Sequence, residues 1–445
     1  MRDTLEAGPM HWALFCRVID NYGDLGVAWR LASQIAASGD TVQLWVDAPE
    51  ALAWMAPGAL EGRWPRLQVR PWTQPFAADA LAQGAADVWV ELFGCDIDPE
   101  FIAQHDRFTP ASGAKSKATL NKFPRWRAPG RGMGCEAQTA AIAAAMARIG
   151  NDADRPQPGC ATREGLVQRC PKNNPVWINL EYLSAEAYVE RSHGLPSPIL
   201  HGPARGRTRH FFFPGYTERT GGLLREPDLL ARQVAFDAAR WRERQRLPSG
   251  RALRISLFCY EPPALGAWLD ALAAGGSGTG QPVQLWVTHG RAAAAVRGHF
   301  CAGNPVTPLQ NGAQALQVSY LPALTQTDYD HLLWAADLNF VRGEDSLVRA
   351  LWAGKPFIWN IYPQDDGAHA AKLEALLDWL DAPPSLRRFH RIWNGLSSGA
   401  LPPPDLALWG ACIRAARERL LTQPDLLSQL RAFVADRRQQ LQEQP

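Results

Sequence analysis

Apolar and polar positions along this chain fall into two alternating periods. Short apolar runs of strand length occur at 87–93 (DVWVELF), 175–180, 316–321, 337–341 and 356–361. Between and beyond them, apolar residues recur at helical spacing. That spacing predicts helices near 26–38, 226–246, 264–274, 328–336, 344–353 and 367–380, and a final pair at about 405–422 and 424–443. Residues 14–46 and 257–287 read as two copies of one unit: both open with Leu-Phe-Cys, both close with Val-Gln-Leu-Trp-Val, and the closing motif starts 28 and 26 residues after the opening one. A helical stretch with a tryptophan, Trp29 or Trp268, lies between. Strand, helix, strand, twice over, is the pattern of two parallel α/β domains. The alternative is chance similarity, since buried parallel strands draw on few residue types.

Length and composition agree with two domains. At 445 residues the chain suits two or three. With 46% hydrophobic and 20% charged residues it is not a disordered chain. Its 46 basic and 44 acidic side chains leave a net charge of +2, which argues against a nucleic-acid partner. No apolar run reaches the ~18 residues of a membrane span. Residues 1–10 lack the apolar core of an export signal. The eight cysteines form no Cys-x-x-Cys pair, so no zinc site is expected, and they read as reduced thiols of a cytoplasmic protein. One segment departs from the rest. From 108 to 172 periodicity is poor, glycine, proline and arginine are frequent, and four of the six lysines gather there. It reads as an exposed insertion, with a short helix at 137–148. The expected domains are 10–222, 223–400 and a C-terminal helical segment, 401–445, that crosses back to the first.

Two strand-to-helix junctions carry candidate chemistry. The first is Val18-Ile-Asp-Asn-Tyr-Gly-Asp-Leu-Gly26. It stands where an open parallel sheet binds its ligand, yet it lacks the Gly-x-Gly-x-x-Gly of a dinucleotide site. Asp20 and Asp24 would repel a pyrophosphate but attract a cation, or take a proton from a nucleophile. Capping of the helix by Asp24 or Asn21 is the plainer alternative. The second junction is Val341-Arg-Gly-Glu-Asp-Ser346. Gly343 permits close approach, Ser346 and the free N–H groups of the first helical turn suit an anion, and Arg342 adds fixed positive charge. An ordinary capping box beside a surface arginine is its alternative. The Asp-x-Asp at Asp96 and Asp98 reads as a turn before Pro99 rather than a metal site. His193 reads as a loop histidine bonded to backbone.

Taken together, several motifs resemble one family. Phe15-Cys-x-Val-Ile-Asp-Asn-Tyr-Gly-Asp-Leu-Gly26, Pro175-Val-Trp-Ile-Asn-Leu-Glu-Tyr-Leu-Ser184, His193-Gly-Leu-Pro-Ser-Pro198, Phe213-Pro-Gly-Tyr-Thr-Glu218, Val341-Arg-Gly-Glu-Asp-Ser346 and Ile361-Tyr-Pro-Gln364 are similar to those of EarP, the protein-arginine rhamnosyltransferases of elongation factor P. The resemblance implies a GT-B fold, two Rossmann-like domains facing across a cleft. It implies an inverting, metal-independent transfer of rhamnose from TDP-β-L-rhamnose to an arginine of elongation factor P, without a cofactor. Asp24 would be the general base, Asp20 its orienting partner, and Glu344 would help hold acceptor or sugar. Asn21, Gly23, Phe258, Tyr260, Gln326, Arg342, Asp345, Ser346 and Tyr362 match the donor site. Phe258 would stack on thymine and Gln326 would bond its edge.

The chain departs from the family twice. Ala323 stands where an aromatic residue is usual, so the thymine would stack on one side only. The 108–172 segment is the second departure. Two other functions compete: a GT-B transferase or nucleotide-sugar epimerase for a small molecule, and a non-catalytic protein that binds the elongation factor.

Overall fold

The computed structural model describes residues 8–19, 22–72, 85–107, 174–275, 280–301, 315–364 and 367–443. Strands β1 (His11–Cys16), β2 (Thr41–Val46), β3 (Leu67–Pro71), β4 (Val88–Leu92), β5 (Val176–Leu180), β6 (Pro196–Pro198) and β7 (Thr208–Phe212) form one sheet, ordered β3-β2-β1-β4-β5-β7-β6. Every pairing in it is parallel except β6 with β7. Strands β8 (Leu253–Leu257), β9 (Val283–Val287), β10 (Leu316–Tyr320), β11 (Leu338–Arg342) and β12 (Phe357–Asn360) form the second, ordered β10-β9-β8-β11-β12 and wholly parallel. Both sheets therefore reverse direction of growth beside their first strand, between β1 and β4 and between β8 and β11. The crevice beyond the strands' C-terminal ends at such a point is where open α/β sheets bind ligands.

The apolar runs hide a period of two. In β2, Val42, Leu44 and Val46 join an aliphatic core with Leu14, Val88, Val90 and Ile178. Trp45 points the other way, into an aromatic core with Phe15, Trp72, Trp89, Phe101 and Trp177. The helix Gly23–Ala37 covers the aliphatic face. So does the last helix, Leu426–Glu443, through Leu427, Leu430 and Val434, so the C-terminus returns to the first sheet.

The repeat holds at one end and slips at the other. Val-Gln-Leu-Trp-Val occupies β2 and β9 identically, at 42–46 and 283–287. The Leu-Phe-Cys triplets do not correspond: Cys16 lies opposite Val46 in the ladder, whereas Leu257 lies opposite Val287. The second triplet is displaced two residues outward, which accounts for the gaps of 28 and 26. The predicted helix at 226–246 is broken into Leu229–Val234 and Ala238–Arg244. Asp237 causes the break, because its carboxylate caps the second piece by accepting from the Ala239 and Arg240 N–H groups at 2.9 and 3.0 Å. The 108–172 segment and its expected helix at 137–148 lie outside the described residues. Among the described residues, no helix is long and apolar enough to cross a membrane.

Candidate active site

β11 ends at Arg342, and the helix Gly343–Ala353 starts at once. Gly343 makes that corner with φ of 64°, where a side chain would be strained. Its carbonyl is fixed by the Trp359 indole N–H at 2.9 Å. The Arg342 side chain thus turns into the cleft, only 3% exposed. Its guanidinium carbon lies 4.5 Å from the Phe258 ring centre, 4.6 Å from Tyr260 and 5.6 Å from Tyr22. Those π-faces hold the cation without neutralising it. Its Nη1 is buried with no hydrogen-bond partner among the described residues. A desolvated guanidinium with a free donor is a receptor for an anion.

The cleft around it spans about 660 Å³, open solvent included. Tyr22, Gly23 and Trp54 line it from the first sheet's side, and Phe258, His289, Ala323, Gln326, Asp345 and Ser346 from the second's. Tyr260 is buried against Arg342, and the exposed Tyr362 packs on it at 5.4 Å; neither ring is part of the cleft lining. The structure therefore brings six of the sequence-predicted donor residues, Gly23, Phe258, Gln326, Arg342, Asp345 and Ser346, around one cleft, in several distinct postures. Phe258 and Arg342 face the space. Ser346 turns its hydroxyl onto the helix start, accepting the Arg342 N–H at 3.1 Å and donating to the Arg342 carbonyl. Gln326 donates to the Gly26 carbonyl at 3.0 Å, across the two domains.

Asp345 also bridges the domains. Its Oδ1 accepts from Arg30 Nε at 3.0 Å, and a Cβ on Gly26 would stand 2.9 Å from its Oδ2, so the helix needs glycine there. Arg30 further contacts Glu226 at 3.2 Å and Asp330 at 3.3 Å. Arg349 pairs with Glu226 at 2.7 Å and bidentately with Asp330 at 2.8 and 2.7 Å. Burial pushes the Glu226 carboxyl up, but Arg349 and Arg30 outweigh it and hold the group down at about 2. For Asp345 burial wins over Arg30, and its carboxyl is raised. Sequence reasoning missed this network. Its signal was a charged residue, Arg30 or Arg349, inside a helical stretch otherwise buried on nearly every side.

On the opposite edge, Asp24 sits in the first turn of the Gly23–Ala37 helix, 5% exposed. Its Oδ2 accepts from the Ile19 N–H at 2.9 Å. Asp20 and Asn21 lie outside the described residues. Glu344 is engaged at both oxygens: the Leu183 N–H donates to Oε2 at 2.8 Å, and the Lys372 ammonium donates to Oε1. It joins the second domain's helix start to the chain that follows β5. A further missed group is Glu91, fully buried at the end of β4, with Arg209 Nη1 at 2.9 Å and the Ile97 N–H at 2.9 Å. Burial pushes its carboxyl up to about 7 against the pull of Arg209. Among the described residues, no group of three His, Cys, Asp or Glu side chains is placed to hold a metal ion.

A family model described as elongation factor P (EF-P) rhamnosyltransferase EarP matches residues 12–114 and 157–435. The chain belongs to the EarP family. The family is one of glycosyltransferases, and the two sheets are the paired Rossmann-like domains of a GT-B fold. Residues 115–156, within the predicted insertion, fall outside the match. A protein-arginine rhamnosyltransferase of Pseudomonas putida is 38% identical over 454 residues, covering 95% of this chain and 98% of its own. One from Neisseria meningitidis serogroup B is 30% identical over 406 residues, covering 89% and 86%. A solved structure described as the structural basis for EarP-mediated arginine glycosylation of translation elongation factor EF-P superposes with a TM-score of 0.52 and 27% identity, covering 96% of this chain and 99% of that one. Asp24 and the Arg342-Gly-Glu-Asp-Ser346 stretch thus stand at the helix starts that follow β1 and β11.

Proposed function

We propose that this enzyme transfers L-rhamnose from TDP-β-L-rhamnose to an arginine side chain of EF-P, with inversion at the sugar carbon. The observation that carries the donor half is Arg342, which lines the cleft, is packed among aromatic rings, and has a buried Nη1 with no hydrogen-bond partner among the described residues. It meets the diphosphate, with the positive end of the Gly343–Ala353 helix beside it. Phe258 stacks on the base and Gln326 bonds its edge. Tyr260 and Tyr362 reach phosphate or sugar oxygens. This arrangement neutralises the departing diphosphate without a cofactor.

The acceptor half rests on the aspartate edge. A guanidinium is protonated near neutral pH and must lose a proton to react. In a single displacement its nitrogen attacks the anomeric carbon, the bond from that carbon to the diphosphate oxygen breaks, and a carboxylate takes the nitrogen's proton. Asp24 is that base, with Asp20 orienting it. One α-linked product follows from one inversion of the β donor. Glu344, paired with Lys372 and the Leu183 backbone, keeps the helix start that carries Arg342 registered against the first domain. The acceptor assignment draws support from the EF-P rhamnosyltransferase description of the matching family and from the named relatives. Incubation with TDP-rhamnose and EF-P, followed by intact mass of EF-P, tests the whole reading. A gain of one deoxyhexose is expected; an EF-P mass that never changes overturns it.

A further inference from the structure

The first domain contributes to the nucleotide pocket in a way the motifs do not announce. Trp54 belongs to a short helix, Leu52–Met55, that follows β2. Leu52 and Met55 are buried in the aliphatic core and anchor the turn. Trp54 itself is half-buried and lines the same cleft as Phe258 and Arg342. Its ring stands edge-on to Tyr22 at 5.2 Å and 85°, and lies 6.4 Å from His289 of the second domain. On the second domain's own side, Ala323 lines the cleft with a methyl group only. Arg342 meanwhile lies over the Phe258 ring at 4.5 Å. A base in this cleft would thus find one ring within its own domain and a second ring across the domain boundary.

We propose that Trp54 is a binding residue for the donor nucleotide, its indole supplying the second aromatic surface for the nucleobase where Ala323 offers only a methyl group. The inference rests on the reading of the cleft as the donor site. Indole is a large, polarizable platform, and an aromatic ring under a base is sequence-tolerant and strong. Because Trp54 and Phe258 come from different domains, a nucleotide held by both also ties the two domains together. A diphosphate without a base would touch Arg342 and not Trp54.

Calorimetry on the full chain separates these contacts. Trp54→Ala should weaken TDP about tenfold, the scale of one lost base-stacking partner, and leave inorganic pyrophosphate unchanged. Trp54→Phe, which keeps a ring, should retain most of the TDP affinity. Ala323→Phe added to Trp54→Ala should recover it, and no recovery contradicts the compensation. Trp54→Ala that binds TDP within twofold of the wild type overturns the inference, as does a parallel loss of pyrophosphate, which would mark Trp54 as merely structural. If the wild type itself binds no TDP, the donor-site reading falls and takes the inference with it. Unchanged TDP affinity in Trp54→Ala beside firm wild-type binding sinks the inference alone.

Discussion

The two sheets grow in the same order and share a closing motif, yet their C-terminal edges carry opposite chemistry. After β1 the chain presents the carboxylate of Asp24, in the first helical turn. After β8 and β11 it presents Phe258, Tyr260 and the buried cation of Arg342. The divergence starts from a slip of two positions. Phe15 pairs with Trp45 inside the ladder and is fully buried against Trp45, Trp72 and Phe101. Phe258, in the same tripeptide, begins one residue after β8 ends, so its ring stands in the cleft. One motif thus builds a core in one domain and a cleft wall in the other, according to where the strand stops. A cationic acceptor suits the first edge and an anionic donor suits the second.

That contrast breaks most visibly at Asp24. Asp24→Asn keeps the shape of the edge and removes its proton acceptance. Initial rates of EF-P modification, read by mass, should fall about 10²–10⁴-fold, while TDP affinity stays at the wild-type level. Near-wild-type turnover would remove Asp24 from the role of base.

The two phenylalanines sharpen the comparison next. Phe15→Ala should cost about 3–5 kcal/mol of stability in denaturant unfolding, because it opens a cavity in the aromatic core. Phe258→Ala should cost roughly 1 kcal/mol of stability but weaken TDP about tenfold. Equal stability losses at the two positions would contradict the displaced register.

A smaller, pH-dependent effect distinguishes two ion-paired carboxylates, Glu226 and Glu91. Glu226 is depressed to about 2 from an ordinary 4.5, so its stabilisation is complete above about 4.5 and is lost as pH falls toward 2. The melting-temperature gap between wild type and Glu226→Gln should therefore shrink on acidification through that window. Glu91 is raised to about 7, so its contribution is present below 4.5 and is lost as pH rises to 7. Glu91→Gln should gain on the wild type over the same rise. Parallel pH curves for either variant and the wild type would refute its assigned shift.

Much of the fold was legible because its strands are apolar runs with few other readings. β4, β5, β10, β11 and β12 fall within a residue or two of their predicted places. β3 and β7 escaped because they lie toward the sheet's margins and are only partly buried, so their sequences, LQVRP and TRHFF, lack a continuous apolar run. The helix Arg291–Cys301 escaped because its alanines blur the helical stripe. Arg342 and Phe258 were both named from the family resemblance and both line the cleft, but their cation–π contact was not legible, since 84 residues separate them in sequence. The postures of Asp345 and Gln326 depend on how one domain meets the other, and no local pattern encodes that. Glu91 was hidden in an apolar run whose alternate positions face different cores.

The central claim is that the donor is held at the second sheet's edge by Arg342, independently of the aspartates. Calorimetric titration of TDP into Arg342→Ala tests it most directly. Loss of a charge-assisted contact of about 1.5–3 kcal/mol should weaken binding roughly 10- to 100-fold, with Asp24→Asn titrated alongside and unchanged. TDP affinity in Arg342→Ala equal to that of the wild type would contradict the account.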